Sequence, residues 1–378
     1  MKILILSISA GSGHEIVAQS LKHFMESRIK NCSVEIIDAL KYINPIIDRL
    51  IIGGYLKTIR NTPHIYGRLY NASNNDEYIG AVCNKFNDML IKKVESLIDD
   101  TKPDVIVCTH PFHLKMLEPV KKKGLFEIPV IAIITDFSIH SFWIADFVDA
   151  YVIPQEDLKI ELTSNGINDD RIYPYGIPVN MDFYKKIDRQ SHLNELNLED
   201  KTTFLLMGGG LGLGSIKCLF KMLIKSKLDI QIIAATGKNS RLKKQLEYTS
   251  LNCAKKVKIL GFTDKIYEYM SVSDLLITKP GGITISEAMA KEIPIAIISP
   301  IPGQEEENCN YLVKNGMAII LKEKENNIQE VYSLVNDKFW VENIKNNIKQ
   351  KSKPDAIYNI SNLIAGYAQK TAYISTKR

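Results

Sequence analysis

The chain has 378 residues, enough for two domains of ordinary size, and its 45% hydrophobic and 24% charged residues are typical of a globular protein. A formal net charge of only +5 argues against a strongly basic nucleic-acid-binding protein, so we expect no nucleic-acid partner. None of the six cysteines forms a C-x-x-C pair, which argues against a zinc site or a disulfide framework and favours a reducing cytoplasm.

The first predicted element is a strand at residues 2–8. This apolar run follows Lys2 and resembles the start of a signal peptide, but it is short and stops at the turn Gly11-Ser12-Gly13. A buried strand that leads into a turn is therefore favoured. No apolar run in the chain approaches the ~18 residues of a membrane-spanning helix.

Short apolar runs then alternate with amphipathic stretches along the chain. This alternation predicts parallel sheets covered by helices on both faces. After the first strand, further strands are predicted at residues 33–37, 104–109, 129–135, 149–153, 203–207, 230–234, 257–260, 274–278, 294–299 and 318–321. Helical patterns lie between most of them, for example at residues 86–100, 215–225 and 284–291.

The order strand, glycine turn and helix begins twice, at residue 2 and again at residue 203. Each beginning is typical of a doubly wound unit. We therefore expect an α/β protein with two Rossmann-like domains that face each other across a ligand cleft. The predicted boundaries are a first domain at 1–182, a polar linker at 183–201, a second domain at 202–352, and a C-terminal helix and tail at 353–378.

Residues 278–308 carry the most informative pattern. A Gly281-Gly282 turn leads into a helix, and such turns and helix starts are suited to binding phosphate. Glu287 follows within that helix, where a carboxylate is able to accept from both hydroxyls of a ribose. Gln304 and Asn308 are four residues apart and share one helix face. Together these residues predict a site for a nucleoside diphosphate that carries a sugar.

The glycine-rich turn at residues 208–214 has two interpretations. It is a candidate cradle for a pyrophosphate at a helix start, or it is a strand–helix turn with no ligand. Its spacing does not match G-x-G-x-x-G, and no acidic residue follows the strand at 230–234 as a dinucleotide-binding fold requires.

His14 lies at the start of the first predicted helix. A helix N-terminus lowers the pKa of a histidine and favours its neutral form, which is able to take a proton from an alcohol. The alternative is a histidine that makes only a local hydrogen bond at a helix end.

Polar residues also follow two other strands of the first half. Asp136 is a candidate to orient His14 or to act as the base itself, and the alternative is an N-cap of the next helix. His110 is as consistent with a turn as with a substrate contact. No group of His, Cys, Asp and Glu has metal-ligand spacing, so we expect no metal.

Residues 42–70 are rich in basic and aliphatic side chains. On a helix, Arg49, Lys57 and Arg60 fall within roughly 80° of arc. The segment is therefore either a buried helix with one solvent-exposed face or a helix that contacts a membrane.

Taken together, these motifs resemble the glycosyltransferase family that includes plant monogalactosyldiacylglycerol synthase and bacterial processive diacylglycerol glucosyltransferase. The resemblance runs from residue 1 to about residue 315, and the order of the motifs makes it specific. The motifs are the glycine turn ending in His14, T-D-x-x-x-H-x-x-W at residues 135–143, the triple glycine at 208–210, Gly261-Phe262, K-P-G-G-x-T-x-S-E at 279–287 and P-G-Q-E-E-x-N at 302–308.

The resemblance implies a GT-B architecture and an inverting, metal-independent transfer of a hexose from a UDP-sugar to a lipid hydroxyl, with diacylglycerol as the expected acceptor. No cofactor is implied, because the UDP-sugar is a co-substrate. It also implies that His14, aided by Asp136, is the base and that Glu287 holds the ribose. The remaining donor-side residues are Gly13, Gly209, Gly210, Phe262, Lys279, Gly281, Gly282, Thr284, Gln304, Glu305 and Asn308, and the acceptor-side candidates are His110, His140 and Trp143.

The chain departs from the family pattern at two places. Leu211 stands where members often have Glu, and the acceptor-side segment after residue 40 is short and divergent. The alternatives are a glycosyltransferase with a soluble small-molecule acceptor, a UDP-sugar epimerase of the same architecture, and a non-catalytic nucleotide-sugar-binding protein. A lipid acceptor predicts a cytoplasmic protein attached peripherally to the anionic inner face of the cell membrane.

Overall fold

The computed structural model of the protein describes residues 1–8, 12–43, 87–209, 216–322 and 325–375. Contacts divide the chain into two units, one of residues 1–180 with 353–378 and one of residues 181–352. Each unit contains a six-stranded sheet in which all the described strand pairs are parallel. The predicted α/β class with two doubly wound sheets is confirmed.

The sheet of the first unit has the strand order β2-β1-β3-β4-β5-β6. Its central strands are continuous apolar runs because helices cover both faces of a parallel sheet, and β3 and β4 are buried at every position. Since β1, β3 and β4 are neighbours, their carboxyl ends lie side by side. The strands are β1 (Lys2–Ser7), β2 (Ser33–Asp38), β3 (Val105–Cys108), β4 (Val130–Ile133), β5 (Ala150–Val152) and β6 (Ile172–Tyr173).

Helices connect these strands. Helix α4 begins at a proline, which is favoured in the first turn of a helix, and it buries Leu114, Leu117 and Val120 against the sheet. Short 3₁₀ turns lie at Ser141–Trp143, Glu156–Leu158 and Asp169–Arg171. The helices are α1 (Ser12–Arg28), α2 (Ala39–Ile43), α3 (Asn87–Thr101), α4 (Pro111–Lys122) and α5 (Lys159–Ser164).

The second unit repeats the arrangement with the strand order β12-β11-β10-β7-β8-β9. Its core is formed by the central strands and by α7, whose Leu219 and Phe220 are fully buried. The strands are β7 (Thr203–Met207), β8 (Gln231–Ala235), β9 (Val257–Leu260), β10 (Leu275–Thr278), β11 (Ile295–Ile297) and β12 (Ala318–Ile320). The helices are α6 (Arg189–Glu195), α7 (Ile216–Lys225), α8 (Ser240–Ser250), α9 (Ile266–Ser271), α10 (Gly282–Ala290), α11 (Gln304–Lys314), α12 (Glu325–Val335) and α13 (Lys338–Lys351).

Residues 183–201, the expected linker, are grouped by their contacts with the second unit. Asp188 caps helix α6 by accepting from the backbone N–H of Ser191 at 2.8 Å. Arg189 donates to the carbonyl of Val272 at 2.7 Å and pairs with Asp274 at 3.2 Å. These bonds hold the segment against the turn before β10.

The last helix, α14 (Ala356–Ser375), belongs to the first unit although it follows the second along the chain. It buries Ile357, Ile360 and Ile364, and the hydroxyl of Tyr367 donates to the carbonyl of Asp149 at 3.0 Å. The first unit is therefore built from two separate parts of the sequence.

The elements differ from the sequence prediction mainly at their ends. The strand predicted at 294–299 is regular only at Ile295–Ile297, and the two-residue β6 was not predicted because so short a run has no recognisable pattern. The structure does not describe residues 44–86, so nearly all of the basic segment at 42–70 lies outside the described residues.

Candidate active site

His14 lies in the first turn of α1, directly after β1. Its Nδ1 is 2.8 Å from the carbonyl oxygen of Thr109 and 3.0 Å from Oγ1 of Thr135. A carbonyl oxygen only accepts hydrogen bonds, so Nδ1 carries the proton and donates it. Nε2 of the neutral ring then keeps its lone pair, which is the atom that a general base uses.

The two threonines follow β3, which is the neighbour of β1, and β4, which is the next strand in the sheet. Thr109 follows β3 and Thr135 comes shortly after β4, so the sheet order brings both to the start of α1. They were not among the predicted site residues. The available signal was a threonine just beyond the end of each of two adjacent buried strands, where parallel sheets collect polar groups.

Asp136 is buried beside this histidine, and the hydroxyl of Thr135 donates to its Oδ2 at 3.4 Å. Burial lowers the pKa of His14, while the charge of Asp136 and the hydrogen bond to Thr109 act to raise it. The cap of the following 3₁₀ turn is His140, whose Nδ1 accepts from the N–H of Phe142 at 3.1 Å. The alternative assignment of Asp136 as that N-cap is therefore wrong.

His110 is the N-cap of α4, since its Nδ1 accepts from the N–H of Phe112 at 3.2 Å. Its ring meets the ring of His14 edge to face, with centroids 4.7 Å apart. Burial holds the pKa of His110 well below its usual range and lowers that of His113 to about 3. Both are therefore neutral, and His110 makes one wall of the base site, by which we mean His14, Thr109, Thr135, Asp136 and His110.

Trp143 is a core residue. It is only 3% exposed and packs within the hydrophobic cluster of the first unit. Its indole therefore stabilises the fold, which corrects its assignment to an acceptor surface. Of the acceptor-side candidates, His110 and half-buried His140 remain near the surface of the unit.

In the second unit, helix α10 begins at the predicted Gly-Gly turn after β10. Gly281 is the N-cap in an extended conformation, and a Cβ there would meet no atom within 4 Å. Open space therefore lies beside the N-cap of this helix, and anion binding at a helix start requires such space. Gly282 is buried and Thr284 is half-buried in the first turn.

Glu287 lies in the second turn of α10 and is 7% exposed. Burial raises the pKa of its carboxyl to about 8. Within the described part of the chain, this carboxyl has neither a hydrogen-bond nor an ion-pair partner. A buried acid without a partner is costly to the fold, and a ligand that brings hydroxyl groups supplies what it lacks.

The start of α11 holds the Gly-Gly turn in place. Asn308 is fully buried, and its Nδ2 donates to the carbonyl of Pro280 at 2.9 Å. Glu305 accepts from the N–H of Ile301 at 2.8 Å and lies 3.7 Å from the ammonium of Lys279. Asn308 and Glu305 therefore organise the loops around Glu287, a role that the assignment of both to direct donor contacts did not include. We call residues 279–287 and 304–308 the donor site. Gln304, which was also predicted to contact the donor, is half-buried at the start of α11.

The glycine turn after β7 is described only as far as Gly209. Gly209 has φ +68, a conformation that favours glycine, and a Cβ added there would meet no atom within 4 Å. Gly210 and the rest of the turn to residue 215 lie outside the described residues. Phe262 follows β9 and is 60% exposed, and the ammonium of Lys238 is 5.6 Å from the centroid of its ring.

Neither a metal cluster nor a membrane span is found in the described part of the chain. Within residues 1–8, 12–43, 87–209, 216–322 and 325–375, no group of three or more His, Cys, Asp or Glu side chains is arranged to hold a metal ion. In the same ranges, no helix is both long and apolar enough to cross a membrane.

Two family profiles match the chain in succession. That of monogalactosyldiacylglycerol (MGDG) synthase matches residues 14–179, and that of the glycosyltransferase family 28 C-terminal domain matches residues 205–362. The chain is also 32% identical, over 349 residues, to a protein of Bacillus licheniformis named processive diacylglycerol beta-glucosyltransferase. The alignment covers 92% of this chain and 90% of that protein.

Solved structures share the architecture. MurG of Acinetobacter baumannii has a TM-score of 0.61 at 12% identity and covers 97% of this chain and 99% of its own. The UDP-GlcNAc 2-epimerase of Neisseria meningitidis, solved with UDP-GlcNAc bound, has a TM-score of 0.58 at 14% identity over 98% of this chain and 100% of its own. At such identities these likenesses establish the fold alone.

The fold and the family 28 profile define a glycosyltransferase of the GT-B architecture. Within that class, the chain belongs to the family of monogalactosyldiacylglycerol synthases and processive diacylglycerol glucosyltransferases. The resemblance inferred from the sequence motifs is confirmed.

Proposed function

We propose that this enzyme transfers a hexose from a UDP-sugar to the free hydroxyl of diacylglycerol, with inversion at the anomeric carbon. The observation that carries the proposal is the buried carboxyl of Glu287, which lacks a partner within the described residues beside an open helix start. A ribose diphosphate satisfies both features at once, because its hydroxyls donate to the carboxyl and its phosphates accept from the helix N–H groups. The names of the relatives support a diacylglycerol acceptor.

In this proposal His14 is the general base. Its protonated Nδ1 is held by Thr109, so the opposite nitrogen is free to take the proton of the acceptor hydroxyl as the new glycosidic bond forms. The electron pair of the broken bond leaves with the UDP oxygen. The negative charge that develops there is stabilised by the N–H groups at the start of α10 and by Lys279.

The reaction is proposed to need no metal, as the family resemblance implies. The test is to add EDTA to the transfer assay, for which we expect little change in rate. Complete loss of activity that Mg²⁺ or Mn²⁺ restores would contradict this part of the proposal.

The acceptor is proposed to remain in its bilayer, so the enzyme would work as a peripheral protein at the anionic inner face of the cell membrane. The basic segment at 42–70, most of which lies outside the described residues, is the candidate attachment segment from the sequence. Its test is the triple change of Arg49, Lys57 and Arg60 to Glu, which should reduce binding to anionic vesicles and leave UDP affinity intact.

The deciding experiment is to incubate the purified protein with radiolabelled UDP-glucose or UDP-galactose and vesicles containing diacylglycerol. A labelled glycolipid is the expected product, and the preferred donor identifies the hexose. Because UDP-GlcNAc 2-epimerases share this fold, one other result is informative. If the protein converts the UDP-sugar to its epimer without any acceptor, it is an epimerase and the proposed transfer is wrong.

A further inference from the structure

The positive charge of the chain is concentrated in one stretch of the second unit. Residues 216–258, from α7 to β9, contain eleven Lys or Arg and two Asp or Glu, a net charge of +9. The whole chain carries only +5, so the rest of the molecule is net negative. A local excess of positive charge of this size attracts an anionic partner.

Helices α7 and α8 line an open groove of about 790 Å³ within this stretch. Lys217 and Lys221 are one turn apart on α7, and Arg241 and Lys244 are nearly one turn apart on α8. The four cations therefore line the same groove from both sides. The other lining side chains include hydroxyl and amide groups that also bind phosphate oxygens.

No acidic side chain of the stretch offsets these four cations. Its two acids are engaged elsewhere: Asp229 lies 2.9 Å from Lys201, and Glu247 lies 3.8 Å from Lys243. Within the described residues, none of the four groove cations takes part in an ion pair. Their charge is therefore available to an external partner.

One exposed apolar side chain lines the groove and another follows directly after α8. Tyr248 lies one turn after Lys244 on α8 and is 79% exposed, and Leu251 directly after the helix is 72% exposed. A tyrosine has an apolar ring with a polar end, which suits the boundary between lipid headgroups and acyl chains. Basic and exposed apolar side chains side by side are typical of surfaces that lie on an anionic bilayer.

We infer that the groove between α7 and α8, together with Tyr248 in its lining and Leu251 directly after α8, is a docking surface for an anionic phospholipid membrane. The cations bind headgroup phosphates, and the two apolar side chains enter the headgroup region. This inference rests on the proposed function for its partner, because an enzyme that glycosylates diacylglycerol has to reach a bilayer. It assigns a membrane contact to the second unit, on helices that carry none of the residues of the donor site.

The test reverses three groove charges at once, Lys221→Glu, Arg241→Glu and Lys244→Glu. Lys217 is left unchanged because it follows the glycine turn closely. The full-length variant is sedimented with vesicles of phosphatidylcholine and phosphatidylglycerol at low and high salt. We expect vesicle affinity at low salt to fall at least about tenfold relative to the unchanged protein, since each cation contributes separately to binding an anionic surface.

A matched control reverses three exposed lysines of α13, Lys338, Lys345 and Lys349, in the same unit. We expect this control to sediment like the unchanged protein. UDP affinity, measured by calorimetry on both variants, reports whether the second unit is still folded. If both variants lose vesicle binding equally, the loss follows from the change in net charge and not from the groove, and the inference is overturned.

A second measurement does not depend on charge reversal. Tyr248→Trp places a fluorescent reporter in the lining of the groove, and Phe339→Trp places one at a similarly exposed aromatic position on α13. After subtraction of the signal of the unchanged protein, only the reporter at 248 should shift to shorter wavelength with anionic vesicles and be quenched by brominated lipid. Absence of both effects at 248 would overturn the inference.

Two further outcomes separate this inference from its premise. If the groove variant loses vesicle binding but no glycolipid forms under any condition, the proposed acceptor is wrong and the docking surface stands. If a duplex oligonucleotide binds the unchanged protein more tightly than the anionic vesicles do, and the groove variant loses that binding, the partner is a nucleic acid and the docking inference fails.

Discussion

The base site of the first unit and the donor site of the second unit differ in how their central residues are paired. His14 is held by Thr109 and Thr135, and the hydroxyl of Thr135 also reaches Asp136. Glu287 is also sheltered from water, but its carboxyl lacks a partner within the described residues. The comparison indicates that the base is prepared before substrate binds, whereas the donor carboxyl is completed by the ligand.

The strongest test of the prepared base is to remove it. His14→Ala should reduce kcat by roughly 10²–10⁴, the usual contribution of a general base, while UDP affinity remains unchanged. His23→Ala, on the exposed part of the same helix, is the control and should retain full activity. Activity of the His14 variant within a few-fold of the unchanged enzyme would transfer the role of base to Asp136.

The next test concerns the partner that Glu287 is expected to gain. Glu287→Gln should weaken UDP binding by about 1–3 kcal/mol, the contribution of hydrogen bonds to a charged group. Calorimetry measures the affinity of both proteins for UDP and for its 2′,3′-dideoxy analogue. The matched control is Glu342→Gln, at an exposed position of α13. Equal affinity of the unchanged protein for the two ligands would show that the carboxyl does not bind the ribose.

A smaller effect is expected from the side chain that links the base to Asp136. Thr135→Val removes a hydroxyl 3.0 Å from Nδ1 of His14, which corresponds to about 0.5–1.5 kcal/mol, or up to roughly tenfold in kcat. Because that oxygen favours the protonated ring, its loss should lower the pKa of His14 and move the acidic limb of the kcat profile to lower pH. Thr135→Ser keeps the hydroxyl and should keep the profile. A lower kcat with an unmoved profile would indicate a packing defect.

The smallest expected effect is the release of a proton from Glu287 when UDP binds, which calorimetry measures. Because the pKa of Glu287 is about 8, its carboxyl is largely protonated at pH 7 in the unliganded protein. Hydrogen bonds from ribose hydroxyls favour the ionised form, so UDP binding should release up to one proton. Calorimetry in buffers with different ionisation enthalpies measures this release, and Glu287→Gln should abolish it. Buffer-independent heats would contradict the expectation.

The same pKa has a consequence for stability. Between the ordinary pKa of 4.5 and the raised value of about 8, the folded protein keeps a proton that the unfolded chain has released. Rising pH across this window therefore lowers the free energy of unfolding. Glu287→Gln should flatten that dependence, and urea titrations at several pH values measure the difference between the two proteins.

The sequence predicted the parts of these sites that depend on local pattern. Apolar runs located the long strands, and glycine turns located the starts of α1 and α10. The roles of Asn308 and Trp143 were not predictable, because a buried amide bonded to Pro280 and a buried indole result from residues that meet only in the folded unit. For the threonines of the base site, the sequence showed their places after two buried strands, but their contact with His14 depends on the order of the strands in the sheet.

The placement of α14 has a consequence for how the chain is made. Residues 181–352 are continuous, so the whole of the second unit is present once they have been synthesised. The first unit, by contrast, is complete only when α14 has been synthesised, after the whole of the second unit. Until then, the apolar surface against which Ile360 and Ile364 pack is exposed. A nascent chain therefore carries an unfinished apolar face for the time needed to translate more than 170 residues, and chaperones or early aggregation would act on that face.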